Sequence, residues 1–264
     1  MLLTLTARSL SRRLQARGRQ RLDLADAPEY TIEHLSLRGL VVDTALLKGW
    51  PLDALDRLRN RADQAGCPCL ILRESTPISV ASDASTMVEK SQHRVELVTK
   101  AAHRLGCNAV AVSMRSISSD REFDATAEFL RQVMERVDRM EMNLLVEPGP
   151  GMLSEPDSLI NLIKKVGGFR IGTMPSFEAA ACTDDCVAAL RQTAPYASAV
   201  LATCPSNDKG EFGKKERTQL RECVEALLSV GYEQILAIDF TGDGDADATI
   251  DAVRDEIVAT MEQE

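Results

Sequence analysis

Two acidic residues follow apolar runs of the sequence at positions where a carboxylate needs a partner. Glu147 comes directly after three aliphatic residues, and Asp239 comes directly after a run that ends at Ile238. A carboxylate beside a buried run is costly unless it is ion-paired, hydrogen-bonded or bound to a metal ion. We therefore take Glu147 and Asp239 as the candidate catalytic pair and as candidate ligands of a divalent metal. An ion pair with Arg73 or Arg115 is the alternative interpretation.

Polar residues follow the other apolar runs as well. If those runs are parallel strands, the residues that follow them meet at one edge of the sheet, where sites are built. An arginine at that edge would bind an anionic group of a substrate. The residues predicted to bind substrate are Arg73, Glu74, Ser113, Arg115, Ser176 and Thr203, and further residues at such positions are Arg8, Ser9, Asp43, Thr173 and Cys204.

Eight short apolar runs, separated by segments with helical spacing, are expected to position these residues. In a chain of 264 residues this alternation predicts a (β/α)8 TIM barrel, whose usual length is about 250 residues. An open doubly wound sheet is the alternative fold, but neither G-x-G-x-x-G nor a P-loop occurs. We expect one domain over residues 1–264, in which residues 1–30 supply the first strand and an arginine-rich, poorly patterned segment. The predicted strands are Leu2–Thr6, Leu40–Val42, Cys69–Leu72, Ala109–Val112, Leu144–Val146, Phe169–Thr173, Ala199–Ala202 and Gln234–Ile238.

One complete strand, turn, helix and strand unit lies in Met142–Phe177. The sequence Pro148–Gly151 allows neither strand nor helix to continue, so the chain must turn directly after Glu147. Ser154 is a plausible N-cap for the helix that follows, and Phe169 is expected to begin the next strand. A right-handed crossover then places Glu147 at the carboxyl edge of a parallel sheet.

The histidines and cysteines argue against a metal site built from nitrogen or sulfur. His34, His93 and His103 fall in predicted helices, so no histidine is available at the strand ends. Cys182 and Cys186 are predicted to share a helix, and no second pair stands at zinc-finger spacing. The seven cysteines are an odd number, which favours reduced thiols in a cytoplasm over disulfides.

The composition limits the classes of partner. A net charge of −9 and a pI of about 5.0 argue against a broad nucleic-acid or membrane surface. No apolar run approaches the roughly 20 residues of a membrane-spanning helix. The arginines that precede Asp23 superficially resemble a mitochondrial transit peptide. We prefer a first strand followed by solvated arginines, in a cytoplasmic protein.

The run from Asp243 to Asp247 resembles the start of an EF-hand calcium loop. The resemblance fails because Ala248 stands where a glycine is needed and Arg254 where the bidentate glutamate should be. We expect this run to be the loop after the eighth strand, with Asp245 or Asp247 capping the last helix.

Three features together resemble the sugar phosphate isomerase/epimerase group, the xylose isomerase-like TIM barrels related to the apurinic endonuclease IV fold. They are the strand-ending Glu147, the run GGFRIGTMPSF and the run GYEQILAIDFTGDGD, and the likeness extends from about Leu37 onward. The resemblance implies a divalent ion held after strands five to eight, and carboxylates that move a proton between adjacent carbons of a ketose. At those positions this chain has Glu147, Ser176 in place of an aspartate, Thr203 near an expected histidine, and Asp239. Such oxygen ligands would hold Mn²⁺ or Mg²⁺ weakly.

Three functions are open at this point. The first is a divergent sugar or sugar phosphate isomerase or epimerase, in which Glu147 and Asp239 hold a weak metal or transfer the proton. The second is a catalytically degenerate barrel that binds a metabolite or a protein, which the altered ligand positions favour. The third, nucleic-acid repair, needs several histidine ligands and a basic groove, and the sequence has neither. We expect a small-molecule sugar or sugar phosphate as partner, with no nucleic acid and no membrane, and a homo-oligomer is compatible with the sequence.

Overall fold

Eight parallel strands form the centre of the molecule. The computed structural model describes residues 1–18, 21–80, 85–204, 212–242 and 244–263, and the side chains of residues 85 and 86 are outside this description. Each strand lies within two residues of its predicted position. The strands are β1 (Leu2–Thr6), β2 (Leu40–Asp43), β3 (Cys69–Arg73), β4 (Ala109–Val112), β5 (Asn143–Val146), β6 (Ile171–Thr173), β7 (Ala199–Thr203) and β8 (Ile235–Asp239).

The strand order is that of a barrel. The sheet runs β6-β5-β4-β3-β2-β1-β8-β7, and every neighbouring pair is parallel. Between its two ends, isolated bridges join Thr173 to Ala197 and Ser176 to Leu201, and the Leu201 amide donates to the Pro175 carbonyl at 2.9 Å. We call this junction the β6/β7 seam. The predicted (β/α)8 TIM barrel is therefore confirmed.

Helices connect the strands and cover the outside of the sheet. Each crossover of this kind is needed to bring the next strand parallel to the last. The histidines lie in these helices as predicted, with His34 in α2 and both His93 and His103 in α4. Within the described residues the helices are α1 (Ser11–Gln15), α2 (Ala27–Leu35), α3 (Leu52–Ala65), α4 (Ser85–Leu105), α5 (Asp120–Asp138), α6 (Pro156–Val166), α7 (Phe177–Ala181), α8 (Cys186–Thr193), α9 (Lys214–Leu228) and α10 (Ala246–Met261).

The core has two apolar layers, as expected for strands that are buried on both faces. The outer layer packs strand residues such as Leu5, Val42 and Leu144 against the helices. The inner layer fills the barrel with residues that mostly alternate with these along the strands, because successive side chains of a strand point to opposite faces. Leu70 and Ile71 of β3 are consecutive members of this layer, at the point where the β2/β3 register shifts. The inner layer comprises Val41, Leu70, Ile71, Ala109, Ala111, Leu145, Met174, Ala199, Leu201 and Ala237.

The arginine-rich segment is attached to the last helix. Arg13 forms an ion pair with Asp247 in the first turn of α10, and its guanidinium lies 5.1 Å from the centre of the Tyr30 ring. The Tyr30 hydroxyl donates to the same carboxylate. Arg13 is thus ion-paired at the surface, with its side chain 42% exposed. Asp245 caps α10 as predicted, since its Oδ1 accepts from the Asp247 amide at 3.2 Å, whereas Asp243 lies outside the described residues.

Two local details of the Met142–Phe177 unit differ from expectation. Phe169 does not begin a strand, because Gly167 and Gly168 adopt φ values of +76° and +101° and leave the Phe169 side chain fully exposed. The Ser154 hydroxyl does not cap α6. It donates to the Gly151 carbonyl at 2.8 Å, because the chain makes one more turn before the helix starts.

The turn after β5 depends on a glycine at position 151. Gly151 has φ +78°, and a Cβ there would lie 2.2 Å from the Ile117 carbonyl oxygen. We expect Gly151→Ala to lower the free energy of unfolding by about 2 kcal/mol or more, since it combines an unfavourable φ with a backbone clash. Urea denaturation measures the loss. Gly66→Ala is the matched control, because Gly66 has φ +66° and nothing near its Cβ position, so only about 1 kcal/mol is at stake. Equal losses in the two variants would contradict the clash.

Candidate active site

The polar residues at the barrel mouth continue the inner face of the strands. Asp43, Arg73, Glu147 and Asp239 each stand two residues after an inner-layer residue. The period of two along a strand therefore carries their side chains to the inside of the barrel. These four residues and Arg8, which follows β1, form the mouth cluster.

Asp239 is a fully buried carboxylate at the end of β8. Its Oδ1 accepts from the Thr6 hydroxyl at 2.7 Å and from the Arg8 Nε at 2.7 Å, and its Oδ2 accepts from the Arg8 Nη2. The Ser9 hydroxyl contacts Thr6 Oγ1 at 2.8 Å and accepts from the Phe240 amide at 2.9 Å. Asp239 is thus held by Thr6, which ends the neighbouring strand β1, and by Arg8 in the turn that follows β1.

Arg73 joins two other carboxylates of the cluster. Its Nε donates to Glu147 Oε1 at 2.8 Å and its Nη2 to Glu147 Oε2 at 2.7 Å. Its Nη1 donates to Asp43 Oδ1 at 3.0 Å. Asp43 Oδ2 is buried without a hydrogen-bond partner among the described residues. A single guanidinium therefore connects β2, β3 and β5, and it leaves one carboxylate oxygen free.

Burial is the largest single influence on the pKa values of Asp43, Glu147 and Arg73. Burial raises the pKa of Asp43 above its ordinary value, while the nearby Arg73 and Arg8 oppose the rise. Burial likewise raises the pKa of Glu147, and its hydrogen bonds to Arg73 oppose that rise. Burial acts to lower the pKa of Arg73, but the hydrogen bonds and charge of Glu147 outweigh it, so the Arg73 pKa is raised. The arginine is permanently charged, whereas the two carboxyl groups hold their protons more readily than in water.

The residues predicted to bind substrate divide into two groups. Ser113 and Thr203 have the spacing of the inner face, and Thr203 Oγ1 is buried without a partner among the described residues. Ser176 lies at the seam, where its Oγ accepts from the Ala179 amide at 3.0 Å and caps α7. Glu74 faces outward and accepts from Arg94 of α4 at 2.7 Å. Arg115 is exposed beyond β4, and its amide donates to the Ile78 carbonyl at 2.8 Å.

The sequence placed Asp43 among the strand-end positions without assigning it a role, and it did not include Thr6, although both belong to the site. Asp43 could have been found from the period of two. Asp43 follows the inner-layer residue Val41 by two positions, and in the β2/β3 register it stands opposite Arg73, the cation that its carboxylate needs. Glu74 fails the same test, since it stands one residue after Arg73 and so points to the other face.

The oxygens that a divalent metal would use are already bound to arginine. Both oxygens of Glu147 accept from Arg73 and both oxygens of Asp239 accept from Arg8. The Ser176 hydroxyl is committed to its helix cap. Among the residues that the structure describes, no group of three or more His, Cys, Asp or Glu side chains is arranged to hold a metal ion. The residues of the mouth cluster therefore do not fit the divalent ion that the resemblance implies.

The cysteines show no arrangement for catalysis within the described chain. Cys204 is buried, and burial raises its pKa, so its thiol is a poor nucleophile. Cys182 and Cys186 do not share a helix, because α7 ends before Cys182 and α8 begins at Cys186. The sulfur of Cys186 instead lies 3.6 Å from that of Cys223 in α9, and both are free thiols.

Comparison with known protein families identifies the scaffold. The profile of the xylose isomerase-like TIM barrel family matches residues 37–254. The chain belongs to this family. The match covers most of the chain and includes four of the five residues of the mouth cluster, all but Arg8, so the site lies on a xylose isomerase-like barrel.

Solved structures agree on the fold of this xylose isomerase-like barrel. L-Ribulose 3-epimerase superposes with a TM-score of 0.79 at 15% identity, covering 100% of this chain and 95% of that chain. D-Psicose 3-epimerase from Clostridium cellulolyticum H10, solved with D-tagatose, gives 0.74 at 12% identity, with coverages of 100% and 98%. The IOLI protein, solved with a zinc atom, gives 0.74 at 11% identity, with coverages of 100% and 99%.

Two further comparisons are negative. A search of curated protein sequences finds no significant match. No helix in the described part of the chain has the length and apolar character needed to cross a membrane.

The raised pKa of Asp43 predicts how the free energy of unfolding depends on pH. Because the folded state holds the Asp43 proton more tightly than the unfolded chain does, ionised Asp43 costs stability. Its favourable contribution is complete below the unfolded pKa of about 3.9 and is lost as pH rises through the folded pKa. We therefore expect Asp43→Asn to gain stability relative to wild type as pH rises, when both are unfolded in urea across this range.

Asp56→Asn is the control of opposite sign. A hydrogen bond from Arg104 lowers the pKa of Asp56 on the helix surface, so its contribution is present above the unfolded pKa and is lost as pH falls. The Asp56 variant should therefore lose stability relative to wild type as pH rises. A fall of the same kind in Asp43→Asn would show that Arg73 outweighs burial at Asp43.

Proposed function

We propose that this chain is a divergent isomerase or epimerase that moves a proton on a carbon beside the carbonyl of a ketose sugar, at the barrel mouth. The observation that carries the proposal is the bridge from Arg73 to both Glu147 and Asp43. It combines two carboxyl groups of raised pKa with a fixed positive charge, on the inside of the barrel at its carboxyl end. Functional residues of barrel enzymes are found at that end.

The bridge has the parts that such a proton transfer requires. An ionised carboxylate removes the proton from carbon, and the electron pair moves into the carbonyl to give an enediolate. A carboxyl group then returns a proton to the other face of that carbon, or to its neighbour. Each Glu147 oxygen retains acceptor capacity beside its bond from Arg73, because a carboxylate has about four lone-pair sites. Asp43 Oδ2 has no hydrogen-bond partner among the described residues.

The role of Asp43 modifies the catalytic pair expected from the sequence. Asp239 was expected to act with Glu147, but both of its oxygens accept hydrogen bonds and its side chain is fully buried. We assign it a positioning role, in which it holds Arg8 at the mouth. Asp43, which lies beside Arg73 and has a raised pKa, becomes the second proton carrier.

The charge of the mouth cluster favours a neutral sugar over a phosphorylated one. With all groups ionised, its three carboxylates exceed its two arginines, and the hydrogen bonds of both arginines are directed to those carboxylates. A phosphate beside them would be repelled. The sugar-epimerase structures that share this fold support the substrate class, and none of the structures named above supports a barrel that only binds.

Hydrogen exchange tests the proposed reaction. The protein is incubated in D2O with neutral ketoses and, separately, with their phosphates, and NMR follows deuterium at the carbons beside the carbonyl. We expect wild type to catalyse exchange in a neutral ketose. Glu147→Gln and Asp43→Asn should each reduce the rate by about 100-fold or more, the usual effect of removing a general acid or base.

Glu256→Gln is the control for this experiment. Glu256 is a half-buried carboxylate that binds Arg217 and Arg221 on the outer helices, so its loss should not change the rate. Rates that are equal in wild type, Glu147→Gln and Asp43→Asn would rule out the proposal.

A further inference from the structure

Two arginines stand where the family resemblance places a metal ion. The carboxylates at the ligand positions after strands five and eight are Glu147 and Asp239. Each has both oxygens bound to one guanidinium, Glu147 to that of Arg73 and Asp239 to that of Arg8. A planar guanidinium matches a carboxylate in this two-point geometry, and the bonds are charge-assisted.

We infer that Arg73 and Arg8 supply the positive charge of this barrel mouth in place of a divalent metal, and that the site works without one. That the two arginines neutralise the mouth carboxylates follows from their ion pairs with Asp239 and Glu147. The catalytic part of the inference, that an N–H of Arg73 stabilises the oxygen of the enediolate, rests on the proposed function.

Entry of a metal would disrupt the ion pairs that bury the cluster. A metal that took the Glu147 oxygens would leave Arg73, only 17% exposed, with Asp43 as its remaining partner. Arg73 would then keep only one of its two counter-charges, which is unfavourable for a buried guanidinium. At the other two ligand positions the chain has Ser176, whose Oγ caps a helix, and Thr203, whose hydroxyl is neutral. The gain from metal coordination is therefore small and its electrostatic cost is large.

Arg73 retains the capacity to bind an oxyanion. A guanidinium has five N–H donors, and Arg73 uses three of them on Glu147 and Asp43. Nη1 and Nη2 each keep one N–H beyond these bonds. In the proposed reaction the proton leaves carbon for a carboxylate, the electron pair moves to the carbonyl oxygen, and an Arg73 N–H donates to that oxygen. Nothing is oxidised or reduced, and return of the proton restores every group.

Metal titration tests the inference without measuring turnover. Purified wild type, stripped with chelator, is titrated with Mn²⁺ while free Mn²⁺ is followed by electron paramagnetic resonance, and melting temperature is recorded in parallel. We expect no Mn²⁺ bound at the mouth and the same melting temperature in Mn²⁺ and in chelator. The inference would be overturned if wild type bound one Mn²⁺ per chain and the Glu147→Gln variant did not.

A variant without Arg73 should gain the metal binding that wild type lacks. Arg73→Ala frees the oxygens of Glu147 and Asp43, so this variant should gain a melting-temperature increase with Mn²⁺ that wild type lacks. The double variant Arg73→Ala/Glu147→Gln should lose that increase. Should Arg73→Ala not fold in chelator, folding that is rescued by Mn²⁺ is the same expected result, and the wild-type titration decides the inference in either case.

The exchange reaction separates this inference from the proposed function. If wild type exchanges ketose protons in chelator at the same rate as in Mn²⁺, both proposals stand. If exchange requires Mn²⁺, the proposed function stands and the arginine inference fails. If no ketose exchanges, the proposed function fails, and the metal titrations still decide which cation neutralises the mouth carboxylates.

Discussion

The bridge from Arg73 to Glu147 and Asp43 is the interaction on which the barrel mouth depends. Asp43 and Arg73 end β2 and β3, and Glu147 directly follows β5. All three come after buried strand residues, so each charge must leave water when the barrel forms. Removal of one partner from such a buried pair typically costs roughly 3–5 kcal/mol, because the other charge is left uncompensated. The Arg73 guanidinium donates hydrogen bonds to both Glu147 and Asp43, and its planar shape fixes the orientation of the two carboxylates. The same contacts that neutralise these buried charges also fix the positions of the groups to which we assign proton transfer.

The family match concerns the scaffold, whereas the chemistry that we propose for the mouth rests on this chain's own side chains. The match to the family profile and the superpositions on sugar epimerases concern the backbone, which positions residues at the carboxyl ends of the strands. What those residues do depends on their side chains. A metal ion exchanges its ligands and is lost to chelators, whereas a guanidinium is fixed by its chain and stays charged at any physiological pH.

The sequence predicts the fold well because barrel strands are recognisable as short aliphatic runs. Glu147 and Asp239 could be found because a charge directly after such a run is unusual. The sequence named Arg73 or Arg115 as a possible ion-pair partner, and Arg73 is the partner of Glu147. It could not choose between these two or assign Arg8 to Asp239, because only the three-dimensional register decides among arginines at the strand ends. Counting in twos from the inner layer would have included Asp43 and excluded Glu74. Phe169 was assigned to a strand because aromatic residues are common in strands. In the structure Gly167 and Gly168 have positive φ, the Phe169 side chain is exposed, and β6 begins only at Ile171.

The β6/β7 seam gives the barrel an uneven resistance to local opening. Every other pair of neighbouring strands is joined by a parallel ladder, with one register shift in the β2/β3 pair, while the seam has two isolated bridges and the hydrogen bond from Leu201 to Pro175. Segments with few backbone hydrogen bonds open at the lowest free energy. All members of the mouth cluster lie on the arc from β8 through β1 to β5, away from the seam. We therefore expect local opening to cost least between β6 and β7, which would separate Thr203 from Ser176 and leave the ion pairs of the mouth cluster in place.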